Sequence, residues 1–138
     1  MPTATDPALV LFAHGARDPQ WAEPFVRLRN IMQARAPGVA TELAFLEHMQ
    51  PDLTTAVGLL ADRGIERITL VPLFMARGGH LRRDLPHLVS HASSVHPGVI
   101  VRTTEAIGDV ASLLDAIVDW VLQEHECTGQ ADLGNPIA

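Results

Sequence analysis

The run Ala8-Leu9-Val10-Leu11-Phe12-Ala13, ending at His14-Gly15, decides the fold. It is continuously apolar with no alternation, which suits a strand buried on both faces, the condition of an interior strand in a parallel sheet. Helical periodicity follows at once, with Trp21, Phe25, Leu28 and Met32 on one face. Asp18-Pro19 has the form of an N-cap and the first helical residue. Pro24 stands inside this pattern, so the regular helix is expected to begin only near Ala22.

The same unit recurs outward from there. Ala36-Pro37-Gly38 breaks the chain, and residues 39–46 read as a second strand ending at Glu47. Pro51 opens a second helix carrying Leu53, Ala56, Val57 and Leu60, closed by Gly64. Residues 68–74 read as a third strand, in which Pro72 is tolerable only near the end. A loop over residues 75–80 leads to a third helix expected at roughly 85–95, stopped by His96-Pro97-Gly98. Residues 99–103 read as a fourth strand, and Asp109 as the cap of a last helix with Val110, Leu113, Leu114, Ile117 and Val121. Strands alternating with helices predict an α/β three-layer sandwich, a four-stranded parallel sheet with helices on both faces. For so few strands the expected order is 2-1-3-4, the flavodoxin-like arrangement. The domain is expected over residues 8–125, with a loose leader at 1–7 and a flexible tail at 126–138.

Composition excludes several functions. The 138 residues fit one domain, and 47% hydrophobic content is enough for a core. A net charge of −6 argues against nucleic-acid binding, which needs a basic face. All ten basic residues are arginine, so every fixed cation is a planar fork suited to carboxylates. One cysteine, Cys127, leaves no disulfide framework and no Cys-rich zinc site. No stretch approaches the roughly 20 apolar residues needed to span a bilayer, and no basic-then-apolar leader opens the chain, so the expected compartment is the cytoplasm. The nucleotide-binding loops, the serine-hydrolase elbow and a receiver's lysine are all missing.

In such a sheet a ligand lies beyond the carboxyl ends of the strands, at the switch between strands 1 and 3. His14 ends strand 1, Glu47 ends strand 2, and His80 falls in the expected loop after strand 3. Alone, each has a duller reading: a hydrogen-bonded turn histidine, or a solvated carboxylate. Together at one rim they make a His/His/Glu set suited to a divalent first-row metal. Gly78 and Gly79 give flexible backbone beside His80, suited to close approach by a large ligand. Arg17, Arg77, Arg82 and Arg83 cluster in the same loops and favour a site for carboxylates. His87 and His91 are four apart on the third helix, but Leu88 stands where a zinc hydrolase needs its glutamate.

The stretches Leu11-Phe12-Ala13-His14-Gly15-Ala16-Arg17-Asp18-Pro19, Glu42-Leu43-Ala44-Phe45-Leu46-Glu47, and Val71-Pro72-Leu73-Phe74 through Gly78-Gly79-His80, with Arg83-Asp84, resemble the class II tetrapyrrole chelatases. The resemblance is to the short sirohydrochlorin cobaltochelatases and their siroheme-forming ferrochelatase relatives, and runs from about Leu9 to Val121. It implies ATP-independent insertion of a divalent metal into sirohydrochlorin for cobalamin or siroheme synthesis, cobalt first and iron next. It implies His14 and His80 as the metal-binding and catalytic pair, with Glu47 as accompanying carboxylate, and Arg17, Arg77, Gly78, Gly79, Arg82 and Arg83 on the macrocycle. Ala16 departs from the serine many members carry, and a single histidine in the loop before the third helix weakens a nickel assignment.

Metal is then substrate, and no tightly bound cofactor is expected. Neutral imidazoles bind a metal yet release it, and can accept a pyrrole proton near neutral pH. The macrocycle is too broad for one such domain, so a homodimer with the cleft between protomers is expected. The competing reading is a non-catalytic metal or tetrapyrrole carrier using the same rim.

Overall fold

The computed structural model describes residues 6–76 and 78–134, with side chains as far as residue 130. Four strands, β1 (Ala8–Ala13), β2 (Thr41–Phe45), β3 (Arg67–Pro72) and β4 (Ile100–Thr103), form one sheet in the order β2-β1-β3-β4. All three pairings are parallel, with Leu11 opposite Leu43 and Val71, and Leu70 opposite Thr103. The expected fold class and strand order hold. Four helices connect or follow the strands: α1 (Glu23–Arg35), α2 (Leu53–Asp62), α3 (Gly79–Val95) and α4 (Ala111–Gly134).

Side-chain alternation along each strand divides the core in two. Val10, Phe12, Ile68 and Leu70 face α2 and α3, meeting Val57, Leu60, Leu85 and Ala92. Each such fully buried aliphatic or aromatic side chain contributes roughly 1.5–3 kcal/mol. Leu11, Ala13, Leu43 and Phe45 face the other way, under Trp21, Phe25 and Val26. The Trp21 and Phe25 rings stack at 4.6 Å between centroids.

Local chemistry explains the helix starts. Asp18 caps a 3₁₀ turn, Pro19–Ala22, by accepting from the Gln20 N–H at 2.9 Å, and α1 begins at Glu23. Pro24 therefore sits in the first turn, where the N–H it lacks has no intrahelical use. Asp52, one residue beyond Pro51, is the N-cap of α2, accepting from the Thr55 N–H at 2.8 Å. Those bonds to Thr55 hold the Asp52 carboxyl below the usual carboxylate value, with His91 adding a smaller pull in the same direction.

Three boundaries differ from expectation. The third helix starts at Gly79, about two turns earlier than the apolar pattern suggests, with Gly78 as its extended N-cap. Its first turns are polar, so periodicity alone could not reveal them. The last helix starts at Ala111, because Asp109 closes a 3₁₀ turn, Ile107–Asp109, and does not cap α4. It continues past Cys127 to Gly134, so the chain is still helical where a tail was expected to begin. Helices cover both faces, but unevenly: α1 lies on the β2 side of its face, and α4 packs on the 3₁₀ turn before it and stands clear of the sheet.

Candidate active site

The parallel pairing of β1 and β2 continues past the strands' formal ends. Leu46 N–H donates to the Ala13 carbonyl at 2.9 Å, and Glu47 N–H to the His14 carbonyl at 3.1 Å. Two residues 33 positions apart are thereby held side by side at the sheet's carboxyl rim. His14 Nε2 lies 3.0 Å from Glu47 Oε1, with both side chains about half exposed, 52% and 50%.

Gly15 makes this approach possible. Its φ is +89°, and a Cβ there would run into the Glu47 carbonyl oxygen. Only glycine combines the left-handed backbone with that contact. On the other side, the buried Phe74 ring meets the His14 imidazole edge-on at 6.2 Å and the Phe12 ring at 5.8 Å. The imidazole is thus fixed by a carboxylate and an aromatic edge while half of it faces solvent.

An ionised carboxylate only accepts hydrogen bonds, so in the neutral imidazole Nε2 carries the proton that Glu47 accepts. Nδ1 is left with its lone pair, free to take a metal ion or a proton. The carboxylate selects the tautomer, as outer partners of metal-bound histidines do.

His48, which the sequence reading passed over, lies beside the pair. Its Nε2 is 3.8 Å from the same Glu47 oxygen, and its φ of +63° is unusual for a residue with a Cβ. Left-handed backbone costs a non-glycine residue on the order of 1 kcal/mol, and such strain gathers at functional sites. The available signal was its adjacency to Glu47.

The remaining expected residues are dispersed. His80 is the second residue of α3, not a loop residue, and is exposed. Among the described residues no three His, Cys, Asp or Glu side chains come close enough to hold a metal, so the His14/Glu47/His80 set is not assembled within this chain. Arg17 lines a cleft of about 420 Å³ with His48, Met49 and Arg29. Arg82 lines a separate one of about 310 Å³ with Leu85, Pro86 and Thr103. Arg83 turns back on its own helix, its Nε donating to the Gly79 carbonyl at 3.1 Å. Gly78 and Gly79 form the start of α3, and Arg77 lies outside the described residues.

The family model for CbiX matches residues 8–124. The chain belongs to the CbiX family. Among its relatives, a sirohydrochlorin cobaltochelatase of Sulfurisphaera tokodaii is 30% identical over 83% of this chain and 93% of its own length. Another from Methanocaldococcus jannaschii is 35% identical over 64% of this chain and 62% of its own. Among solved structures, a putative cobalamin biosynthesis CbiX protein of Marinobacter aquaeolei VT8 superposes with a TM-score of 0.79 at 36% identity, over 88% of this chain and 98% of that one. The sirohydrochlorin chelatase SirB of Bacillus subtilis subspecies spizizenii, solved with cobalt, shares the fold at TM-score 0.73 and 21% identity. This CbiX-family chain spans about half of SirB's length. No helix among the described residues is long and apolar enough to cross a membrane.

Proposed function

We propose that this protein inserts a divalent metal ion, cobalt in the first place and iron next, into sirohydrochlorin without nucleotide hydrolysis. The observation that carries the proposal is the His14–Glu47 pair at the carboxyl ends of β1 and β2, in a member of the CbiX family whose relatives bear the name sirohydrochlorin cobaltochelatase. Insertion exchanges two pyrrole N–H protons for one M²⁺, so the site must hold a metal weakly and accept protons. The His14 Nδ1 lone pair serves either task, with Glu47 holding the ring and offsetting positive charge. His80, in the first turn of α3, is the second imidazole of the reading, although it does not join the pair within this chain. Arg17, Arg82 and Arg83, together with Arg77, are proposed to meet the carboxylates of the macrocycle.

The pair lies on an open rim, whereas insertion calls for walls on both faces of a flat macrocycle. A second copy would supply the missing wall, and we take the working form to be a homodimer, the commonest closed assembly.

The test is insertion of Co²⁺, Fe²⁺ and Ni²⁺ into sirohydrochlorin, followed by absorbance against a no-enzyme control. Multiple turnovers without ATP are expected. Stoichiometric metal or tetrapyrrole binding with no turnover for any of the three metals would replace this reading with that of a carrier.

A further inference from the structure

The cleft of about 420 Å³ between α1 and β2 carries charge that the His14–Glu47 pair does not use. Leu43 and Phe45 give it an apolar floor, and Arg17, Arg29 and His48 stand around it. Neither guanidinium forms an ion pair among the described residues. Glu42, the one carboxylate on the lining, is 3.9 Å from Arg63 instead. In a chain of net charge −6, two unpaired cations on one cleft make a local well for an anion.

Arg29 is the more informative of the two. It follows Phe25 and Val26 by one turn of α1, on the side that packs against β2, and is half-buried there. Its Nε–H is buried with no hydrogen-bond partner among the described residues, and its Nη2 has only a 3.4 Å contact with the Asn30 side-chain oxygen. Buried donors and charges are nearly always met, and nothing in the chain offsets the cost of holding this guanidinium in place. Arg27, two residues earlier on the same helix, is simply exposed.

We propose that this cleft is a carboxylate subsite, in which Arg29 and Arg17 grip one acidic arm of the tetrapyrrole while its ring lies over His14. The proposal rests on the preceding reading of the substrate and names Arg29 as a residue that positions it. Guanidinium forks match a carboxylate with two parallel N–H bonds, which a point charge cannot do. Leu43 and Phe45 supply an apolar surface for the methylene stem of such an arm. The position fits as well. One oxygen of Glu47 is 3.0 Å from His14 Nε2 and 3.8 Å from His48 Nε2, and His48 lines the cleft, so its mouth opens beside the reacting centre. A free organic acid shares the carboxylate chemistry, and the test separates the two.

The experiment is a metal-free titration of the full chain with sirohydrochlorin, followed by tetrapyrrole fluorescence at fixed ionic strength. Arg29→Met is expected to weaken binding about 10-fold or more, and Arg29→Lys several-fold, because the ammonium lacks the fork. Arg27→Met, which removes an exposed charge from the same helix, should bind as the wild type does. The fully esterified macrocycle should bind wild type and Arg29→Met alike. Equal affinity in Arg29→Met and wild type, an equal loss in Arg27→Met, or a difference that survives esterification overturns the subsite. Succinate binding that is lost in Arg29→Met, with tetrapyrrole affinity unchanged, assigns the cleft to a free organic acid and overturns the arm. If Arg29→Met lacks the wild-type circular dichroism, Arg29→Lys decides, and wild-type affinity there overturns the subsite. In all these cases insertion by the wild type, read in the absorbance assay, still stands. A wild type that neither binds nor metallates sirohydrochlorin overturns both readings.

Discussion

The His14 imidazole and the Glu47 carboxylate meet at 3.0 Å because two parallel strands end side by side, and their backbones continue to pair for two residues beyond. The geometry is set by main-chain hydrogen bonds and by Gly15 beneath it. Substitutions in the side chains should therefore act on chemistry, and substitutions in the backbone support on the pair itself.

His14→Ala is expected to reduce cobalt insertion at least 100-fold while leaving thermal stability within about 0.5 kcal/mol of wild type, since an exposed side chain away from the core carries little stability. Glu47→Gln should fall less, because the amide oxygen still accepts from Nε2 but no longer offers charge. Initial rates and melting curves measured on the same preparations check both; wild-type rates in both variants would remove this pair from the mechanism.

Gly15→Ala should be costly for a residue so small. The left-handed backbone and the collision with the Glu47 carbonyl together predict a loss of about 2–4 kcal/mol. Urea unfolding measures it, and a loss under 1 kcal/mol would show that the two strand ends separate easily.

Asp52→Ala should cost about 1 kcal/mol at pH 7, the usual value of an N-cap. The folded-state carboxyl of Asp52 sits below its ordinary value of 3.8, so its contribution is complete above that value and is lost as pH falls through the lower, folded value. The variant and the wild type should therefore converge in stability as acid protonates the cap. A difference that persists unchanged at acid pH would assign the effect to something other than the charged cap.

Arg82→Ala and Arg17→Ala are expected to raise the apparent KM for sirohydrochlorin several-fold with a smaller change in kcat, as for groups that bind substrate and transition state alike. Arg83→Ala should also loosen the first turn of α3, because its Nε bonds the Gly79 carbonyl. Steady-state kinetics at saturating cobalt separates the two parameters; a pure kcat effect at Arg82 would place it with the reacting atoms.

Local pattern and the placement of punctuating residues were enough for the sheet. Continuous apolar runs such as Ala8–Ala13 announce strands buried on both sides, and the strand–helix alternation leaves few topologies. The rim position of His14 and Glu47 follows from their places at the ends of those runs. The start of α3 did not follow, because Gly79-His80-Leu81-Arg82-Arg83 lacks an apolar period, and its helicity depends on packing farther along, at Leu85 and Ala92. His48 needed the tertiary structure too, since nothing in a single residue type announces a positive φ. The order of elements and the two side chains at the strand ends were legible in the residues alone, because strand burial and turn chemistry are local. That these two side chains pair, and that His80 does not join them, came from the folded chain, because the approach of the two strand ends depends on the backbone contact at Gly15.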